Sequence, residues 1–194
     1  MPALALHTDR PAALDYVRSA RASALAQAAG VVGFAALAAL CAQVEVRLPW
    51  GEVPLTLQTV AFYGAGLALG ARNGALSMAL YLALGLVLPV YSGGDVGPAH
   101  LLGATGGYLL GAPLAAAVIG ALSRRWNTAF GATLAVVVGS AVLFACGVTV
   151  LHYAAGHATW AQSAYTGWLR FLPFDLTKVA LVGLLYGGLR RATA

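Results

Sequence analysis

Two charged side chains, Asp175 and Lys178, lie within the apolar stretch FLPFDLTKVALVGLLYG, which runs over residues 171–187. A charge at the centre of a membrane helix costs roughly 2.5–3.5 kcal/mol on insertion scales, so such residues are usually functional. Pro173 predicts that a helix begins just before Asp175, which places both charges on one helical face. The pair therefore predicts either a structural ion pair or a polar cavity that opens at the outer side of a membrane.

Further polar residues gather at the same predicted end of the chain. The segment TLQT places Gln58 at the top of one apolar run, and the segment YSGGDVGPAH over residues 91–100 joins two others. Glycines in that segment permit positive φ angles and allow backbone amides to approach a ligand. Thr105 and Tyr108 follow at the predicted outer start of the next helix. These residues favour the cavity over the ion pair.

Other candidate chemistries find little support in the residues. The glycine-rich segment lacks the Gly-Lys-Ser/Thr sequence of a phosphate-binding loop. His152 and His157 lack metal-ligand spacing and a companion carboxylate, and His100 is similarly isolated. Cys41 and Cys146 lie within apolar runs and are expected to pack as small side chains. We therefore predict no metal site, no cofactor and no catalytic centre.

The composition indicates an integral membrane protein. The chain has 194 residues, of which 60% are hydrophobic and only 9% are charged, whereas about 25% are charged in a soluble domain. The length suits one transmembrane domain over residues 1–194. Residues 1–22 contain several charges and are predicted to form a cytoplasmic tail, not a signal peptide. A helical bundle is expected over residues 23–191.

Six apolar segments are candidates to cross the membrane, for which about 20 residues are needed. Their predicted limits are 24–46, 56–71, 74–90, 101–122, 128–153 and 172–189. The second and third are short and are joined by a tight turn, GARNG, over residues 70–74. The sequence thus predicts an all-α membrane protein with six transmembrane helices.

Positive charge orients these six segments. Eight of the eleven basic residues fall on one side of the membrane, and the positive-inside rule makes that side cytoplasmic. They are Arg10, Arg18, Arg21, Arg72, Arg124, Arg125, Arg190 and Arg191. Both termini are therefore predicted to be cytoplasmic. The same asymmetry accounts for the net charge of +5, so nucleic-acid binding is not needed to explain it.

Small residues recur at helical spacing in the apolar segments. Ala35 and Ala39 lie at the centre of an alanine face on the first segment. Small residues at this spacing let helix backbones approach closely in lipid. Such a face either packs inside the bundle or contacts a partner membrane protein, and the residues alone leave both alternatives open.

Five short motifs follow one another in an order that resembles the BioY family, the biotin-binding S components of energy-coupling factor (ECF) vitamin transporters. They are TLQT (56–59), GARNG (70–74), LPVYSGG (88–94), GATGGY (103–108) and FLPFDLTK (171–178). Two positions depart from the family pattern. Phe174 replaces a glycine, which is expected to alter the helix start and narrow the pocket, and Ala104 stands where proline is common.

The resemblance implies a six-helix S-component fold that holds biotin near the outer face of a bacterial plasma membrane. It implies that Asp175 and Lys178 bind the ligand and that the segment before Gln58 forms a lid or wall. Because the chain contains no nucleotide-binding motif, uptake would require separate ATPase subunits and a transmembrane coupling subunit. We predict that Ala35 and Ala39 contact that coupling subunit.

The chemistry of biotin suits these residues. Asp175 can accept hydrogen bonds from the ureido N–H groups, and Lys178 can donate to the ureido carbonyl or to the carboxylate. Tyr108 can cover the apolar ring. The complete predicted substrate site is Gln58, Ser92, Gly93, Gly94, Thr105, Tyr108, Asp175 and Lys178. Two alternatives remain open, an S component for another vitamin and a small intramembrane enzyme, which would need a nucleophile, metal cluster or carboxylate pair.

Overall fold

The structure, a computed structural model, describes residues 18, 22–47, 53–126 and 128–192. The described chain is mostly helical. Its elements, in chain order, are α1 (Ala24–Ala42), β1 (Glu45–Val46), β2 (Leu55–Thr56), α2 (Gln58–Gly85), a 3-10 turn (Ser92–Gly94), α3 (Pro98–Leu102), α4 (Gly106–Arg125), α5 (Ala129–Ala154), α6 (Trp160–Ala164), a π-helical turn (Tyr165–Leu169) and α7 (Leu172–Ala192). The predicted cytoplasmic tail lies outside the described residues except for Arg18 and Ala22.

Among the described elements, five helices are long and apolar enough to cross a membrane, namely α1, α2, α4, α5 and α7. The predicted limits of three segments are wrong. The third ends at Gly85 and not at residue 90, and the first and the fourth differ for local reasons. The first helix ends at Ala42 because the following residues form β1, which pairs antiparallel with β2. The fourth begins at Gly106 because Gly103 has extended backbone angles, φ −78° and ψ −175°, which end the short helix α3.

Helix α2 folds back on itself at Gly70, within the turn that the sequence predicts. Gly70 has φ 77° and ψ −176°, angles that an L side chain rarely adopts. The amide of Gln58 donates to Tyr81 Oη at 2.6 Å, although a straight helix would hold these residues about 34 Å apart. A Cβ on Gly74 would lie 3.1 Å from Gly66 Cα. The stretches before and after Gly70 are therefore two antiparallel arms.

Small residues allow the long helices to pack closely. Helix α2 contacts α1 and α4 extensively, and α4 packs on α5. A Cβ on Gly66 would lie 2.7 Å from the carbonyl oxygen of Ala116, and a Cβ on Gly107 would lie 2.5 Å from that of Cys146. Backbones approach at these positions because no side chain separates them. Packing in this bundle therefore depends on particular glycines.

The alanine face of α1 is turned toward the bundle. Ala35 is 0% exposed and belongs to the central core, and Ala39 is partly buried against the same core. The prediction that Ala35 contacts a partner protein is wrong for this arrangement, because helix packing already covers it. The outward face of α1 instead carries exposed Leu25, Val32 and Leu40. Contact of Ala39 with a partner stays a prediction.

Arg18 forms hydrogen bonds with two helices at one end of the bundle. Its guanidinium donates to Tyr186 Oη at 2.5 Å and to Ser123 Oγ at 2.7 Å. It also donates to the carbonyl oxygen of Gly120 at 3.3 Å, and it lies next to Gly70. These contacts bring the α2 turn and the last turns of α4 and α7 to the same end. Most of the basic residues that predict the cytoplasmic side belong to these elements.

Candidate ligand-binding site

A cavity lies at the end of the bundle opposite Arg18, between β2 and the outer ends of α2, α4, α5 and α7. Its empty space is about 610 Å³, including the mouth. Apolar atoms make up most of the lining surface, although about half of the lining residues carry polar side chains. It consists of Val53, Pro54, Leu55, Thr56, Gln58, Thr59, Phe62, Ser92, His100, Thr105, Tyr108, Leu109, Phe144, Phe171, Asp175 and Lys178. A concave apolar pocket with a few converging polar groups is typical of small-molecule sites.

Asp175 is a buried carboxylate on the wall of this cavity. It lies in the first turn of α7, as Pro173 predicts, and is only 3% exposed. Tyr63 donates to Oδ1 at 2.7 Å, and Ser140 donates to Oδ2 through its hydroxyl. The helix N-terminus also favours a negative charge here. The carboxylate is thus held in place by α2 and α5, while its remaining lone pairs can accept further hydrogen bonds.

Lys178 is hydrogen-bonded to the backbone of the connection between α1 and α2, which we call the first outer loop. Its ammonium donates to the carbonyl oxygen of Thr56, in β2, at 2.7 Å. Among the described residues, the ion pairs within 4.0 Å join Arg47 to Glu45 and His100 to Asp95. Asp175 and Lys178 therefore form no direct ion pair within 4.0 Å, although the two charges lie close enough to interact electrostatically. Each of the two charges has its own protein partners, and both face one cavity.

Gln58 connects the cavity to the outer loops. Its Oε1 accepts from Thr56 Oγ1 at 3.0 Å, and its Nε2 donates to Tyr81 Oη at 2.6 Å. Tyr81 in turn donates to the carbonyl oxygen of Val90 at 3.1 Å. These bonds fix β2 against both arms of α2. Nearby, Thr59 Oγ1 is buried without a hydrogen-bond partner among the described residues, and Thr59 is one of the residues that line the cavity.

An aromatic wall closes one side of the cavity. Tyr108 donates to the carbonyl oxygen of Gly167 at 2.6 Å and meets Phe144 edge to face, with ring centres 5.7 Å apart. Phe144 stacks on Trp168 at 5.8 Å. A Cβ on Gly167 would lie 2.7 Å from Tyr108 Oη, so this close contact requires glycine. The Tyr108 hydroxyl already donates a hydrogen bond within the protein, so Tyr108 can contact a ligand through its aromatic ring.

The segment over residues 91–100, which we call the second outer loop, contributes Ser92 to the cavity lining, whereas Gly93 and Gly94 do not line it. Thr105, which follows this loop, also lines the cavity. His100, which is not among the predicted site residues, lines the cavity, and its Nδ1 lies 3.0 Å from Asp95 Oδ2. Spatial proximity to Thr105 is the signal that identifies it, and this proximity depends on the bend between α3 and α4.

Tyr91 lies near the site and is fully buried. Tyr91 stacks on His100 with ring centres 4.9 Å apart, and burial raises the pKa of its phenol. Its hydroxyl therefore stays protonated and donates to the carbonyl oxygen of Leu82.

Phe174 is 50% exposed and does not line the cavity. The expectation that Phe174 narrows the pocket is therefore wrong.

The chain is similar in sequence to proteins of one family. The model of the BioY family matches residues 14–194. The chain is 36% identical over 146 residues to the biotin transporter BioY of Thermotoga maritima, covering 72% of this chain and 82% of that protein. It is 35% identical over 173 residues to the probable biotin transporter BioY of Lysinibacillus sphaericus, covering 83% of this chain and 87% of that protein.

A solved structure agrees with the fold. The crystal structure of the S-component for biotin from an ECF-type ABC transporter superposes with a TM-score of 0.80 and 25% sequence identity. The superposition covers 86% of this chain and 92% of that one. The chain thus has the S-component fold, and the proteins that it resembles are transporters, not enzymes.

Proposed function

We propose that this chain, which belongs to the BioY family, is the high-affinity biotin-binding membrane subunit of an ECF transporter and mediates biotin uptake. It is a multi-pass bacterial membrane protein. The observation that carries the proposal is the buried carboxylate of Asp175, held by Tyr63 and Ser140 on the wall of an otherwise mainly apolar cavity.

The cavity can satisfy each part of biotin. The two ureido N–H groups donate to the free lone pairs of the Asp175 carboxylate. The thiophane ring and the alkyl chain pack against Tyr108 and Phe144. Lys178 uses one N–H for Thr56, and an ammonium group has further donors. These donors bind either the ureido carbonyl or the carboxylate of the ligand.

The proposed topology has six membrane crossings with both termini in the cytoplasm. Five long helices support it, because α2 folds back at Gly70 and its two arms count as separate crossings. The end of the bundle that holds Arg18 carries the basic residues of the α2 turn and of the last turns of α4 and α7, and the positive-inside rule assigns that end to the cytoplasm. The ligand cavity then faces outward.

Active transport requires partners. The chain contains no nucleotide-binding motif, so we propose that it associates with a transmembrane coupling subunit and ATPase subunits within the lipid bilayer. Ala39 remains our candidate for a coupling contact. Its replacement by a bulky residue should block transport and spare biotin binding. This outcome would separate the partner interface from the ligand site.

Titration calorimetry of the purified protein in detergent tests the ligand directly. We expect biotin to bind with nanomolar affinity, about −12 kcal/mol, and riboflavin and thiamine to produce no binding heat. A folded sample that does not bind biotin would contradict the proposal. Binding of either control vitamin instead of biotin would favour an S component for another vitamin.

Replacing Lys178 with alanine should weaken biotin binding about tenfold, or 1.4 kcal/mol. The change removes a charge-assisted donor from the cavity, and it also frees the carbonyl oxygen of Thr56. The dissociation constant for biotin measures the effect. Arg72→Ala is the matched control, since it removes an exposed basic side chain near the α2 turn. Equal losses in both variants would argue against a specific role for Lys178.

A further inference from the structure

A second cavity, which we call the outer cleft, adjoins the ligand cavity on the outer side. Its empty space is about 1050 Å³, much of it open to solvent. Four residues line both cavities, namely Pro54, Ser92, His100 and Thr105. The two spaces are therefore adjacent, and a ligand longer than the inner cavity would extend past His100 into the outer cleft.

Arg47 provides a positive charge in the outer cleft. Its Nε donates to Glu45 Oε1 at 2.7 Å, and its side chain is 71% exposed. Because Glu45 engages Nε, the terminal Nη groups keep donors for another acceptor. A Cβ on Gly93 would lie 2.6 Å from Arg47 Nη2. Gly93 thus allows the guanidinium to lie against the second outer loop, which is a different role from direct contact with a ligand.

Asp95 provides a negative charge in the same cleft. Its Oδ2 lies 3.0 Å from His100 Nδ1, and its side chain is 56% exposed. Its other oxygen is therefore left to bind a cationic group. The hydrogen bond that Arg47 donates to Glu45 is the main cause that raises the pKa of Arg47, and the negative charge of Asp95 adds to the rise. Arg47 and Asp95 are thus close enough to interact electrostatically.

We propose that the outer cleft binds a zwitterionic α-amino acid group attached to the carboxyl end of biotin, so that biotin joined by an amide to the ε-amino group of lysine is also a ligand. This inference rests on the proposed function. Asp175 repels carboxylates and favours the ureido end, which directs the carboxyl end of the ligand toward the mouth. There Arg47 can bind the α-carboxylate and Asp95 the α-ammonium.

The arrangement of charges selects a zwitterion over a simple anion. Among the described residues that line the cleft, Arg47 carries a positive charge and Asp95 a negative one. The described lining therefore has little net charge to attract a carboxylate alone, whereas a group that carries both signs complements both residues. Free biotin ends at its carboxyl group and lacks the α-amino acid group, so its binding is not expected to depend on Arg47 or Asp95.

Competition between three ligands on the purified full-length protein in detergent tests this inference. The ligands are biotin, biotinyl-lysine and biotin pentylamide, which has the same alkyl extension without the amino and carboxyl groups. We expect biotinyl-lysine to bind at least fivefold tighter than the pentylamide, about 1 kcal/mol. Arg47→Gln or Asp95→Asn should remove that advantage and leave the affinities for biotin and the pentylamide unchanged.

Two results would overturn the inference while leaving the proposed function intact. In one, the protein binds biotin but binds biotinyl-lysine no tighter than the pentylamide. In the other, the advantage of biotinyl-lysine persists in both variants. A wild-type protein that binds no biotin would contradict the proposed function itself, and this result is read from the biotin titration alone.

Discussion

Replacing Asp175 with asparagine is expected to weaken biotin binding at least tenfold, a loss of 1.4 kcal/mol or more. The carboxylate accepts hydrogen bonds from Tyr63 and Ser140 and can also accept from the ureido N–H groups. An asparagine amide has one acceptor oxygen, and its NH₂ group would face donors. At least one hydrogen bond in the buried site is then lost, and unpaired donors there are costly.

The control for this variant is Asp95→Asn, which makes the same chemical change at an exposed carboxylate outside the ligand cavity. It should bind free biotin as the wild type does. Thermal unfolding of both variants in detergent tests whether the loss arises from the site or from the fold. A folded Asp175→Asn protein with unchanged biotin affinity would give Asp175 a structural role only.

Ser140→Ala provides a milder test of the same site. This variant keeps the carboxylate but removes one of the hydroxyls that orient it. We expect a smaller loss of biotin affinity than for Asp175→Asn, because Tyr63 still positions the group. A Ser140→Ala effect as large as that of Asp175→Asn would show that orientation, more than charge, determines binding.

The location of the charged pair could be predicted because polar residues are rare in this sequence. Asp175 and Lys178 stand out within an apolar run, and Pro173 indicates where the helix begins. The turn at Gly70 was predictable for a similar reason, because a charged residue between two glycines interrupts an apolar segment. In both cases charged residues interrupt an apolar segment, and the interruption indicates a site or a turn.

The partners of Asp175 could not be predicted in the same way. Tyr63 and Ser140 lie 112 and 35 residues from it, in segments that read as ordinary apolar helices. Which face of α2 or α5 points at α7 depends on how the helices rotate as they pack. Ala35 illustrates the same limit, since small residues serve internal packing and partner contacts equally well. The β1–β2 pair is too short to show strand periodicity.

Gly120→Ala is expected to destabilise the protein more than any change in the ligand cavity. A Cβ at this position would lie 2.2 Å from the backbone nitrogen of Ala71 and 2.3 Å from the carbonyl carbon of Gly70. Backbone atoms cannot move aside as a flexible side chain does, so α4 must shift away from the α2 turn. Overpacking of this kind costs about 1–3 kcal/mol or more. The carbonyl oxygen of Gly120 would also move relative to Arg18.

We therefore expect the midpoint of thermal unfolding in detergent to fall by at least about 5 °C for Gly120→Ala. The matched control is Gly33→Ala in α1, where an added Cβ would meet no atom within 4 Å. That variant should be as stable as the wild type or slightly more so, because alanine favours the helical conformation over glycine. Since the ligand cavity lies at the opposite end of the bundle, Gly120→Ala protein that remains folded should still bind biotin with nearly normal affinity. Equal midpoints for Gly120→Ala and Gly33→Ala would contradict the close approach of α4 to the α2 turn, and with it the reason why glycine is needed there.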